Sequence, residues 1–176
     1  MELSADIQEL VIREATSRDK EAIKCYIAKN GRDSKTTTFG DLMWHNMLEM
    51  GDGMLEKHLS RWGNHVLLAI SGDSIIGLGI VATSGTDKFR HIGELTLSIK
   101  EDFWHMGVGR ELIQRTILEC KEKGVIRKLN LRVREDQESC RQLYKSLGFY
   151  EEGTLARDVC ISGMFFSSIL YGRNID

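Results

Sequence analysis

The sequence predicts one α/β domain in which a mixed sheet is covered by helices. Three observations carry this. The 176 residues, 41% hydrophobic and 28% charged, suit a single core at roughly 100–200 residues per domain. Apolar residues recur with period two in several short runs and at helical spacing in others. These runs follow the order strand, helices, three strands, helix, strand, helix, two strands, with no repeat, low-complexity tract or linker between them.

Leu10 to Ala15 reads as a short strand, and Thr16-Ser17-Arg18-Asp19 supplies helix-start chemistry. Ala22, Ile23, Tyr26 and Ile27 then form an apolar stripe, so a first helix runs from Asp19 to Lys29 and ends at Asn30-Gly31. Arg32 to Asn64 is polar and Thr-rich, then Met-, Leu- and Trp-containing, and is expected to hold one or two helices. His65 to Ile70 and Ser74 to Thr83 are apolar runs joined by Ser71-Gly72-Asp73, a hairpin signal. His91 to Lys100 alternates, with Leu95, Leu97 and Ile99 on one face and Glu94, Thr96, Ser98 and Lys100 on a polar one. After a loop, Leu112, Ile113, Thr116, Ile117 and Cys120 mark a helix from Gly109 to Lys123, stopped by Gly124. Lys128 to Arg134 is a strand with Leu129, Leu131 and Val133 inward. Gln137 to Leu147 is a helix with Cys140, Leu143, Tyr144 and Leu147 on one side, capped by Gly148. Strands Phe149 to Leu155 and Met164 to Tyr171 close the chain.

Composition excludes several classes. A net charge of -2 gives no whole-protein argument for nucleic acid or membrane binding, and neither partner is expected. No run approaches the roughly 18 apolar residues of a spanning helix. The polar, acidic MELSADIQEL lacks the features of a secretory signal, so a cytoplasmic location is expected. Cys25, Cys120, Cys140 and Cys160 form no CxxC pair and are expected to be reduced, mostly buried thiols. The five histidines have no spacing that suggests a metal site, so no metal is expected. There is no proline, against an average of about nine for this length.

The most informative segment is ELTLSIKEDFWHMGVGREL, Glu94 to Leu112, where Gly107 and Gly109 flank one residue at a strand-to-helix junction. Small residues there let backbone N–H groups approach an anion, and a helix N-terminus adds unsatisfied donors and about half a positive charge. Arg110 disfavours the dipole but favours a phosphate. A glycine-rich tight turn fits the same residues. A dinucleotide fingerprint fails because its third glycine position holds Leu112, and no Gly-Lys-Ser/Thr ending exists for a Walker loop.

A second constellation lies downstream, LRVREDQESCRQLYKSLGFYEEG, Leu131 to Gly153. With it, Val11 to Gly172 resembles the GNAT superfamily of N-acetyltransferases. Ile99 to Gly109 matches the length and both glycines of the family's apolar-x-Pro-x-x-Arg/Gln-x-x-Gly-x-Gly/Ala pattern. Val133, Gln137, Cys140, Leu143-Tyr144 and Leu147-Gly148-Phe149 match its later signature, and VIREATSRDKEAI resembles its first strand and helix. The resemblance implies a GNAT-like fold, a mostly antiparallel sheet of about six to seven strands over residues 11–172. It also implies transfer of an acetyl group from acetyl-CoA to a primary amine, by direct attack in a ternary complex.

In such a protein the pyrophosphate would sit on the loop amides of Trp104, His105, Met106, Gly107, Val108, Gly109 and Arg110. The pantetheine arm would pair with the backbone of Leu97 and Ile99. Glu94, on the polar face of the strand leading to the loop, is the candidate general base, because an ammonium must lose a proton before it attacks. An ordinary solvent-facing glutamate fits that position equally. Tyr144 is the candidate donor to the CoA sulfur, since a phenol is protonated at neutral pH; it also lies on an apolar stripe and is suited to packing. Gln137 stands where the family often has Asn and carries the same amide on a longer stem. Trp104 replaces the usual Arg or Gln, Cys140 a small Ala, and Glu101 the Pro before the loop. Without that proline, loop rigidity falls to Phe103, Trp104 and the following helix, and the loop is expected to be more mobile without CoA than in a proline-bearing relative.

Nine Lys/Arg against five Asp/Glu between Lys100 and Arg134 suit a polyphosphate, and equally an ordinary solvated helix face. Arg32 to Asn64, where the family meets its acceptor, has no dominant charge. Its Trp44, Met47, Met50, Met54 and Trp62 fit an apolar pocket or a core. The last two strands, near Tyr171, are a candidate homodimer edge. A non-catalytic acyl-CoA-binding module is the rival reading, disfavoured by the joint presence of Glu94 and Tyr144. A longer acyl donor is a third.

Overall fold

The computed structural model describes residues 9–30 and 64–176. The expected helices of Arg32 to Gly63, the aromatic and Met residues among them, and His45 and His58 lie outside the described residues. Seven strands, β1 (Leu10–Glu14), β2 (His65–Ser71), β3 (Ser74–Thr83), β4 (Ile92–Ile99), β5 (Lys128–Arg134), β6 (Tyr150–Ile161) and β7 (Met164–Asn174), form one sheet in the order β1-β2-β3-β4-β5-β7-β6. Every neighbouring pair is antiparallel except β4–β5. The helices are α1 (Lys20–Asn30), α2 (Val108–Lys123) and α3 (Glu138–Ser146). Among the described residues no helix is long and apolar enough to cross a membrane.

Local chemistry sets the boundaries. Thr16 and Asp19 form a capping box before α1, and Arg13 Nη2 on β1 pairs with Asp19 Oδ1 at 2.6 Å, fixing the turn between strand and helix. The guanidinium holds the Asp19 carboxyl well below the usual carboxylate range, with the Thr16 backbone and hydroxyl assisting. At the far end of α2, Gly124 adopts φ 67° and its N–H bonds the Cys120 carbonyl at 3.1 Å.

The two faces of the sheet hold different cores. Ile23, Tyr26 and Ile27 of α1 pack on Val66, Leu68, Leu78 and Ile80. On the other face, Ile113, Ile117 and Cys120 of α2 meet Val81, Leu95, Leu129, Leu131 and Val133, with the half-buried Cys140, Leu143 and Tyr144 of α3 alongside. The α2 stripe is buried as its periodicity predicts.

Four expectations are corrected. Ala22 is exposed, so the α1 stripe is narrower than its apolar residues suggested. Ser98 belongs to no solvated face: it is 4% exposed, and the Tyr26 hydroxyl, with its pKa pushed up to about 12 by burial, donates to its carbonyl at 3.0 Å. Only Cys120 is buried; Cys25 and Cys160 are exposed, facing away from the core on α1 and on the sheet-edge strand β6. Finally, β6 and β7 run well past their predicted ends, through a Ser162-Gly163 turn with φ of 51° and 81°. As an edge strand exposed on both faces, β6 has no alternation to announce it, and a bulge around Arg157 breaks its register.

Candidate active site

The sheet opens at its one parallel pair. β4 and β5 pair through Ile92↔Lys128, Gly93↔Leu129 and Glu94↔Asn130 and no further, whereas β4 stays paired with β3 as far as Gly77↔Ile99. Among the described residues the second half of β4 therefore has a strand neighbour on one side only. Lys100 N–H bonds the Ile76 carbonyl at 2.9 Å. By the alternation of an antiparallel ladder, Ser98 and Thr96 also turn their backbone groups to β3, while Leu97 and Ile99 turn theirs into the opening. Lys128 N–H bonding the His91 carbonyl, at 3.1 Å, fits the same alternation. Leu97 and Ile99 thus offer strand hydrogen bonds to something other than a strand of the described residues, and their half-buried side chains pack against the core.

The crossover from β4 to β5 brings the start of α2 to the same place. A Cβ built on Gly109 would lie 3.7 Å from Leu143 Cδ2 and 4.0 Å from Ile99 Cγ1, so the first turn of α2 sits between the end of β4 and α3. The loop reaches it through two left-handed residues, His105 (φ 61°) and Gly107 (φ 89°). Gly107 is the N-cap, has no side-chain cap, and its carbonyl accepts the first helical bond from Glu111 at 3.1 Å. The N–H groups of Val108, Gly109 and Arg110 precede that bond and have no partner within the helix.

Trp104 and Arg110 are engaged within the protein. The Trp104 N–H donates to the Glu101 carbonyl at 3.0 Å, so it is not an available anion donor. Its indole instead donates Nε1–H to the Ile99 carbonyl at 2.9 Å, closing the short helical turn Glu101–Phe103 back onto the end of β4. A carbonyl has two lone pairs, and this bond uses one. The Arg110 side chain binds Ser146 Oγ at 2.8 Å and ties the first turn of α2 to the last turn of α3. His105 is exposed and Met106 half-buried.

Tyr144 lies on α3 against Phe149 and Tyr171, with ring centroids 6.0 and 6.1 Å away. Burial, and then the nearby Cys140, push its phenol above the ordinary tyrosine value, so it stays protonated. Burial likewise raises the Cys140 thiol, so no thiolate is favoured there. Gln137 is the N-cap of α3 at the end of β5; its N–H bonds the Arg134 carbonyl and its carbonyl accepts from Arg141, both at 3.1 Å. Glu94 is exposed at the fork of β4 and β5, with Asn130 Nδ2–H donating to its Oε1 at 2.9 Å. The start of α2 and the free edge of β4 thus converge on one opening, with Glu94 at its inner end.

The basic surplus of Lys100 to Arg134 does not make a basic patch. Arg115, Lys123, Arg127, Lys128, Arg132 and Arg134 pair with Glu119, Glu14, Asp176, Glu152, Asp158 and Asp136 respectively. Most of those acids lie outside the segment. Tyr171 is fully buried, and of the last two strands β6, not β7, lies at the sheet edge. Among the described residues, no group of three His, Cys, Asp or Glu is placed to hold a metal. Sequence reading missed Asn130, whose signal is spatial: it is the cross-strand neighbour of Glu94.

A split sheet with an uncapped helix start beside its free strand edge is an architecture for a long ligand with an anionic end. The model of the acetyltransferase (GNAT) family matches residues 16–149, and the chain belongs to that family. It is an acyltransferase. The GNAT-family acetyltransferase from Streptococcus pneumoniae is 28% identical, with a TM-score of 0.83 over 94% of this chain and 99% of that one. The ribosomal-protein-alanine N-acetyltransferase from Brucella melitensis is 22% identical, with a TM-score of 0.76 over 93% and 99%. The yncA protein from Salmonella typhimurium, solved with its cofactor acetyl-CoA, is 18% identical, with a TM-score of 0.70 over 95% and 94%. No curated protein matches the sequence.

Proposed function

We propose that the protein transfers an acetyl group from acetyl-CoA to a primary amine, with Glu94 as base and Tyr144 as donor to the sulfur. The single observation that carries the proposal is the opening beyond Glu94↔Asn130, where a free strand edge meets three helix N–H groups without an intrahelical partner. These residues fit acetyl-CoA: Leu97 and Ile99 supply strand bonds to an amide-bearing arm, and His105 to Arg110, without the Trp104 amide, supply donors to phosphate. Gln137, the N-cap of α3 at the end of β5, is the candidate amide contact to the arm. When bound, acetyl-CoA supplies an acetyl group activated as a thioester.

Glu94 takes the proton that an attacking ammonium must lose. A C–N bond forms and the C–S bond breaks, and the second proton that the nitrogen sheds replaces the one taken up by the sulfur. Tyr144, kept protonated by its surroundings, gives the departing sulfur a hydrogen bond or its proton. Direct transfer needs no thiol nucleophile, consistent with a Cys140 thiol raised by burial.

The test is thiol release from acetyl-CoA across a panel of primary amines, with wild-type protein and Tyr144→Phe. Expected is amine-dependent release by the wild type, and by Tyr144→Phe a turnover lowered about 10–100-fold with CoA affinity retained. Tight CoA binding without release for any amine would mean a binding module. Unchanged turnover in Tyr144→Phe would remove Tyr144 from the mechanism.

A further inference from the structure

The Glu94–Asn130 contact is a side-chain hydrogen bond that spans the parallel pair at the point where the sheet divides. Asn130 Nδ2–H donates to Glu94 Oε1 at 2.9 Å, whereas Asn130 Oδ1 is buried and has no hydrogen-bond partner among the described residues. The amide orientation follows from chemistry, because reversing it would set an oxygen against the carboxylate. A buried acceptor without a partner is a cost to the fold. A β-branched residue at this strand position would avoid that cost and suit a strand better. Local stability therefore does not account for asparagine here; its donor does one thing, which is to hold Glu94.

We infer that Asn130 is the positioning residue of the transfer reaction, fixing Oε1 of Glu94 so that Oε2 is the oxygen left to receive the amine proton. The inference rests on the reading of Glu94 as base. The probes are two small nucleophiles at saturating acetyl-CoA: methylamine, an ammonium ion at neutral pH, and hydroxylamine, which is uncharged there and needs less help from a base. Thiol release is timed for Asn130→Val, Asn130→Asp, Glu94→Gln and the Asn130→Val/Glu94→Gln double variant, alongside thermal melting.

Asn130→Val is expected to lose about 10–100-fold in kcat with methylamine, the cost of a misplaced catalytic group, and far less with hydroxylamine. Its KM for acetyl-CoA stays within twofold and its melting temperature does not fall. Asn130→Asp keeps the side chain's shape, removes the donor, and loses at least as much with methylamine, so the test does not depend on valine folding well. In the Glu94→Gln background, Asn130→Val causes no further loss, because it acts through the missing carboxylate. Equal losses with both nucleophiles, full additivity in the double variant, or unchanged methylamine turnover would each overturn the inference. If Glu94→Gln retains wild-type methylamine turnover, the base reading of Glu94 fails, a result separable from a failure of Asn130 alone.

Discussion

Gly107 and Gly109 are one motif in the sequence, but only Gly107 has a backbone that requires glycine, and alanine at each position separates them. Gly107 has φ 89°, a conformation that costs a side-chain-bearing residue about 1–2 kcal/mol. Gly109 lies in the first turn of α2, where a Cβ would meet nothing nearer than Leu143 Cδ2 at 3.7 Å, an ordinary contact. Glycine in a helix costs about 0.5–1 kcal/mol relative to alanine. The fold should therefore gain from Gly109→Ala and lose from Gly107→Ala. At about 2–4 °C per kcal/mol for a chain of this size, the expected melting temperatures rise by about 1–4 °C and fall by about 2–8 °C.

Ligand affinity should separate the two positions as well. At Gly109 the added methyl would make only ordinary contact with Leu143 Cδ2 and Ile99 Cγ1, and the family's pattern admits alanine there, so CoA affinity should stay within about threefold, under about 1 kcal/mol. At Gly107 an alanine would resist φ 89° and turn the amides that follow away from an anion, and a loss of at least about 1.4 kcal/mol is a tenfold loss of affinity. Differential scanning calorimetry without ligand and isothermal titration with CoA measure both quantities on the same protein. A Gly109→Ala protein that is more stable and binds CoA normally, beside a Gly107→Ala protein that binds at least tenfold more weakly, satisfies the reasoning. A Gly107→Ala protein that binds CoA normally would show that the start of α2 is not the cradle; a Gly109→Ala protein that is less stable would show that glycine is required there by the fold.

The indole of Trp104 should substitute for a loop proline. Trp104→Phe removes the Nε1–H bond to the Ile99 carbonyl, worth about 1 kcal/mol net. Amides of Asp102 to Arg110 should then exchange about fivefold faster without CoA, with the difference shrinking once CoA is bound; equal exchange in both proteins refutes this role. His65 should make stability fall in mild acid. It is 2% exposed and its Nε2 has no partner among the described residues, and burial, followed by Lys123 Nζ at 3.2 Å from Nδ1, depresses its pKa below 6.5. As pH falls through 6.5 the unfolded chain takes up the proton first. Stability is full above that value and declines by at most about 1.4 kcal/mol per pH unit until the folded pKa is reached. Urea unfolding at pH 7.5 and 5.5 should show this decline in the wild type and less of it in His65→Gln; an equal decline in both removes His65 as its source.

The legible parts of this protein are those whose cause is local. The α2 stripe, Gly124 and the β4 alternation follow from periodicity and capping, because each residue's environment is decided by neighbours a few positions away. Ser98 breaks the β4 alternation because its partner, the Tyr26 hydroxyl, is 72 residues away. The ends of β6 and β7 are not legible because a two-sided edge strand leaves no apolar pattern.

The site divides along the same line. The donors at the start of α2 were visible in Gly107 and Gly109, since a strand-to-helix junction without a capping side chain is a local feature. The sheet opening was not, because it depends on where the β4–β5 register stops. That register ends at Glu94↔Asn130, two residues 36 apart in sequence, of which only the carboxylate has chemistry that draws attention by itself. Asn130 acquires meaning only when its amide is seen to have one partner and one orphaned oxygen. A sequence can therefore announce a ligand's cradle while hiding what aims the base, because aiming is a relation between strands and capping is a property of one chain end.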